Sequence, residues 1–249
     1  MSGITPDPWH DRVVTDPRLS GASIERVDGE AGTVVLVGVL HDHPASTYRV
    51  RTVLDAVAPD VLALELPPLA VPLAAHHAAD DLTPPALGGE MSAAIQAADT
   101  ERVVGIDGPS IGFLGYLAAE LYAERASLAT VRRTAAALRS VTSTAVTRRA
   151  AAAVAALTTL QVAVDGPTAY DTGRRDDPER QAAEERRRIE TAESMLRVFT
   201  PPPAAAIKRT ARERYMADRL ATLGRTGDVV AVVGRAHLGE IAGHLRDGE

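Results

Sequence analysis

The chain of 249 residues has no cysteine. That removes disulfides, thiolate nucleophiles and cysteine metal sites together. Aromatic residues make up only 3% of it, so alanine, valine and leucine must fill any core. Lysine is reduced to Lys208, and arginine carries the rest of the positive charge. With the heavy use of alanine, this reads as genome base composition rather than chemistry. The net charge of −6 lacks the basic face that phosphate binding needs, which argues against nucleic acid as a partner. Long apolar runs are missing too. The N-terminus, MSGITPDPWHDRVVTDPRL, has no apolar segment of signal type. The best candidate for a membrane span, Ala150 to Val164, is alanine-rich and shorter than the roughly twenty apolar residues required. The expectation is a soluble, cytoplasmic protein with no membrane span.

What is present is enough for a real core, since 45% of the residues are hydrophobic and 24% are charged. One α/β domain over residues 1–249 is expected, beginning with an irregular segment over 1–30. Thr33 to Val37 is a β-branched run suited to a buried strand, and Val61 to Leu66 and Arg102 to Ile106 give two more. Apolar residues at helical spacing mark Ser46 to Val57, stopped by Pro59. Pro67 to Pro85 reads as loop with room for a short helix, and GGEMSAAIQAA as a helix. From about 111 to 200 the chain is alanine- and arginine-rich without strands. Gly166, Pro167 and Gly173 break it into helical blocks, one opening at Asp176-Asp177-Pro178. A further helix runs from the prolines at 201–203 to Gly224, followed by a strand over Val229 to Val233 and a short helix over Leu238 to Leu245. Strands alternating with helices imply a mainly parallel or mixed central sheet with flanking helices. The helical middle is then an insertion or cap, because the last strand must return to the sheet to be buried.

Two valine-rich strands end alike, in VVLVGVLH and VVAVVGRAH. Gly38 and Gly234 sit just past a strand, where the absence of Cβ permits a tight turn or close backbone approach. In α/β sheets, ligands bind beyond the carboxyl ends of strands. His41 and His237 would project there from equivalent corners, and Glu65 and Asp107 also end apolar strands. Two imidazoles and two carboxylates around a cleft suit a divalent metal or acid/base chemistry. Structural readings stand beside these. Glu90 can serve as a negative charge in a helix's first turn, and Asp107 before Gly108-Pro109 as a turn former. His43, His76, His77 and His244 read as surface or capping residues, with His43 near enough to assist His41.

These blocks resemble the TraB/PrgY family, which is related to the Tiki and erythromycin-esterase-like proteins. The opening motif is VVLVGVLH with VRTVLDAVAPDVLALEL, the next GGEMSAAIQAA with VVGID, and the last ARERYMADRLATLGRTGDVVAVVGRAHLGEIAGHL. They occur in the family's order and cover roughly half the chain. The resemblance implies an α/β fold and a metal-dependent hydrolase or peptidase site. Carried over, that site is Gly38, His41, Glu65, Asp107, Arg212, Gly234 and His237. Arg212 could turn a fixed charge toward a carboxylate or an oxyanion, or could be an exposed helix arginine. The chain departs from the family in having Gly108 where many relatives have arginine. It also has Ala211-Arg212-Glu213 before Tyr215-Met216, and stops soon after Leu245, where many relatives continue into membrane helices.

Three functions follow as expectations. In the first, His41, Glu65 and His237 hold manganese, cobalt, zinc or iron and hydrolyse a peptide or small-molecule substrate. In the second, a histidine activates water without metal. In the third, the crevice captures a peptide or small ligand without turnover, as the family's link to peptide-pheromone shutdown also allows.

Overall fold

The structure, a computed structural model, describes residues 15–29, 31–157, 168–198 and 201–248. Its five-stranded sheet comprises β1 (Ile24–Asp28), β2 (Thr33–Val39), β3 (Val61–Leu64), β4 (Val103–Gly105) and β5 (Val229–Gly234). The helices are α1 (Pro44–Val57), α2 (Val71–Ala78), α3 (Gly89–Ala97), α4 (Ile111–Ala123), α5 (Leu128–Leu157), α6 (Pro178–Val198), α7 (Pro203–Gly224) and α8 (Arg235–Asp247).

Strand order is β1-β2-β5-β3-β4. β2, β5, β3 and β4 are parallel to their neighbours, and β1 lies antiparallel to β2 at one edge, so the sheet is mixed. β1 corrects the expectation of an irregular segment through residue 30. With Glu25, Arg26 and Asp28 in five residues, it lacks the apolar alternation that announces a strand. It is held by the ladder to β2 and by Ile24 and Val27, the two residues it buries.

β-branched residues stiffen at χ1 and pack well on a pleated surface, and here they are buried on both faces. Leu36, Ala63, Ala231 and Val233 point toward Met216 and Leu220 of α7 and Leu238 and Ile241 of α8. Val37, Leu62, Leu64, Val230 and Val232 point toward Val50, Val53 and Leu54 of α1 and Met91 of α3. Truncating any one of the buried leucines to alanine costs about 2–5 kcal/mol, so the sheet is the rigid element and its rim can carry chemistry.

Helix starts follow from local chemistry. Pro44 occupies the first turn of α1 and the His43 ring accepts from the Ala45 amide, so this helix begins two residues before the expected Ser46. Ala58 in the left-handed region closes it.

The helical middle divides. α4 packs Phe113 and Leu117 on Ile207, Ala211 and Tyr215 of α7, and α5 reaches α2 and α7. α6 lies instead against α1 and the 3-10 turn Pro17–Leu19. Of the stretch Ala150 to Val164, residues 150–157 end α5 and the rest lie outside the described residues. Among the described residues no helix is long and apolar enough to cross a membrane.

Candidate active site

β5 lies between β2 and β3, so the four parallel strands deliver their ends side by side. Val39 pairs with Gly234, which sets the two glycine-histidine corners next to each other, offset by one residue. His41 follows β2, Glu65 follows β3 and Asp107 follows β4. His237 lies in the first turn of α8, Arg212 and Glu213 on α7, and Glu90 in the first turn of α3.

Each histidine is held through Nδ1 by a buried glutamate. His41 Nδ1 lies 2.6 Å from Glu90 Oε1, and the other oxygen of Glu90 accepts from the Asp42 amide at 2.8 Å. Glu90 therefore does more than sit at a helix start. Its hydrogen bond and charge raise the His41 pKa to about 9, with Glu65 and Asp42 adding to the rise. His237 Nδ1 lies 2.8 Å from Glu213 Oε1, which also accepts from Arg209 Nε at 2.8 Å. Burial pushes the Glu213 carboxyl upward, but these two donors outweigh it and hold the group below its ordinary value. Glu213 was not among the expected residues. Its only sequence signal is Arg209 four residues earlier, a spacing that ordinarily marks a surface ion pair.

Arg212 joins the two strand-end carboxylates and is not an exposed helix arginine. Its Nε and Nη2 donate to Asp107 at 2.9 and 2.7 Å, and Nη2 also reaches Glu65 Oε1 at 2.6 Å. This fork geometry suits arginine and not lysine. Burial works against the guanidinium, yet Asp107 and Glu65 raise its pKa above the ordinary arginine value. Glu65 Oε2 accepts from the Gly234 amide at 2.6 Å. Asp107 Oδ1 also accepts from the Gly108 amide at 2.7 Å, so its turn-forming role holds as well.

Gly234 has φ −57, a backbone that any residue adopts, so its lack of a side chain matters for space and not conformation. A Cβ there would stand 3.4 Å from Glu65 Oε2, 3.7 Å from the His237 ring and 3.9 Å from His41 Nε2. These three side chains therefore converge on the open face of Gly234. Gly38 plays a different part. A Cβ there would come within 3.0 Å of Leu238 and 3.2 Å of Arg235, so this glycine lets α8 approach the sheet.

The donor types fit a divalent cation, since each Nδ1–glutamate pair fixes the ring and leaves Nε2 toward Glu65. Two observations oppose it. Arg212 occupies Glu65 and comes within 3.4 Å of His237 Nε2, and among the described residues no three such groups already form a metal cage. The raised pKa also means that His41 must give up a proton to become a ligand.

The other histidines stay outside this cluster. His43 is fully buried, so the surface reading fails while the capping one holds. Its ring stands edge-on to Tyr170 with centroids 4.7 Å apart, and its Nε2 has no hydrogen-bond partner among the described residues. His77 is buried in the last turn of α2, so only the surface reading fails there, while His76 and His244 are half-buried near helix ends.

Compared with known protein families, curated proteins and solved structures, the chain matches none.

Proposed function

We propose that the chain is a hydrolase of ester or amide bonds, working in the crevice between the two glycine-histidine corners. The observation that carries this reading is the pair of Glu–His contacts, Glu90–His41 and Glu213–His237, facing each other across Gly234. The resemblance to the TraB/PrgY family supports the same conclusion.

The two histidines have separable roles: His41, with its raised pKa, holds a proton, and His237 stands where it can take one from water. His237 donates Nδ1–H to Glu213, which leaves the Nε2 lone pair for water. Arg212 Nη1 donates to that nitrogen at 3.4 Å, a long bond that the attacking water displaces as it enters. Water gives its proton to His237 Nε2 as its oxygen adds to the substrate carbonyl carbon. His41, protonated at neutral pH, presents Nε2–H to the oxyanion, and Arg212 adds fixed positive charge. When the intermediate collapses, the carbon–leaving group bond breaks and His237 returns its proton to the departing alcohol or amine.

A second reading, a metal-dependent hydrolase, is favoured by one feature: a carboxylate on Nδ1 is the usual support for a histidine that ligates through Nε2. His41, His237 and Glu65 would hold a manganese, cobalt, zinc or iron ion. Such an ion supplies a water of lowered pKa and polarises the carbonyl.

The test is hydrolysis of an ester and peptide panel by wild type, His237→Ala and Glu213→Gln, with and without chelator, beside elemental analysis. Turnover that survives chelation and is lost in both variants supports the first reading. Turnover lost on chelation, with near-stoichiometric metal absent from His41→Ala/His237→Ala, supports the second. Tight binding without product in the wild type would overturn both and leave ligand capture.

A further inference from the structure

The run DDPERQAAEERRRIE, which opens α6, is dense in charge, yet the inner face of the helix buries Gln181, Glu184 and Glu185. A buried carboxylate left unpaired is costly, and Glu185 is paired with groups that support the first corner. Arg49, buried on α1, donates from Nη1 to Glu185 Oε1 at 3.0 Å and pairs through Nη2 with the other oxygen. The same Nη1 donates to the Gly38 carbonyl at 3.0 Å. Ser46 Oγ donates to Glu185 at 2.5 Å and accepts from the Leu40 amide at 2.9 Å.

Tyr170, just before α6, acts on the next peptide group. Its hydroxyl donates to the His41 carbonyl at 2.5 Å, while the amide at the other end of that peptide, Asp42 N–H, binds Glu90. Burial and the nearby carboxylates Asp42 and Glu90 hold the Tyr170 pKa at about 12, so it remains a donor at neutral pH. The second corner is secured differently, by Arg209 of α7, which donates to the Ala236 carbonyl at 2.9 Å.

We infer that Glu185, through Arg49 and Ser46, and Tyr170 are positioning residues that fix the backbone from Gly38 to Asp42 and so aim His41 Nε2 at the crevice. None of these bonds belongs to the sheet ladder. The peptides just past a strand end would otherwise be left to water, and the imidazole they carry would sample several directions. The consequence for catalysis rests on the hydrolytic reading; the geometry does not.

Amide hydrogen exchange followed by NMR tests this without a substrate. In Glu185→Gln the charge facing Arg49 is lost, and in Tyr170→Phe only the hydroxyl. The expected result is exchange about tenfold faster or more at Leu40 and Asp42 in Glu185→Gln, and at Asp42 in Tyr170→Phe. The amide of Gly234, at the other corner, keeps its protection. If Glu185→Gln fails to fold, Tyr170→Phe beside Ser46→Ala, read at Leu40, carries the test. Unchanged exchange at these amides, or equal acceleration at Gly234, would overturn the inference, because a purely structural role lowers protection everywhere. In a hydrolysis assay the same variants lower kcat and leave KM in place. If the wild type turns nothing over, the hydrolytic reading falls while the exchange result still decides the positioning.

Discussion

His41 and Glu90 stand 49 positions apart in the chain and meet through a hydrogen bond of 2.6 Å. The contact joins the end of β2 to the start of α3, and it stabilises the protonated imidazole. Because the folded pKa of about 9 exceeds the ordinary 6.5, this stabilisation is fully present below pH 6.5 and is lost as pH rises through about 9.

Glu90→Gln removes the charge and keeps an oxygen for the Asp42 amide. By NMR titration, His41 should move from about 9 in the wild type toward 6.5 in the variant. The difference in stability between the two proteins should be larger at neutral pH than above pH 9. A wild-type midpoint already near 6.5 would contradict the geometry. The side chain is 61% exposed, so the effect on stability is screened and the titration is the sharper readout.

Arg212→Met leaves Glu65 and Asp107 facing each other without a cation. Removing one partner of a buried ion pair costs about 3 kcal/mol or more, which denaturant unfolding would detect. Arg212→Lys restores charge but not the fork, so it should recover part of the stability and little activity. Equal stability of Arg212→Met and wild type would show that the fork is not a structural tie.

Gly234→Ala places a methyl group at ordinary contact distances from Glu65, His237 and His41, on a backbone that tolerates alanine. The melting temperature should change little, while hydrolysis falls by about tenfold or more as the near-attack geometry is lost. Full activity in this variant would place the reaction elsewhere.

Much of the fold was legible because valine was. The buried parallel strands are continuous β-branched runs, and each expected strand forms within two residues of its expected bounds. The two corners were legible as a repeated ending on adjacent strands. What could not be read were contacts whose only signal is charge. Glu213 has only Arg209 four residues earlier to mark it, and Glu184 and Glu185 sit in a stretch dense in charge that carries no mark of burial. β1 buries only Ile24 and Val27 and so lacks a strand's signature. Arg212 entered the site only through the resemblance, and its bridging of Glu65 and Asp107 was not legible, since nothing local tells a clamp from an exposed helix arginine.

The strand at the centre of the sheet, β5, is the last of the five to be synthesised. Until residues 229–234 are made, β2 and β3 have no shared neighbour, so the pairs β1–β2 and β3–β4 cannot join into one sheet. Joining the two pairs is therefore a long-range pairing of the kind that folds slowly.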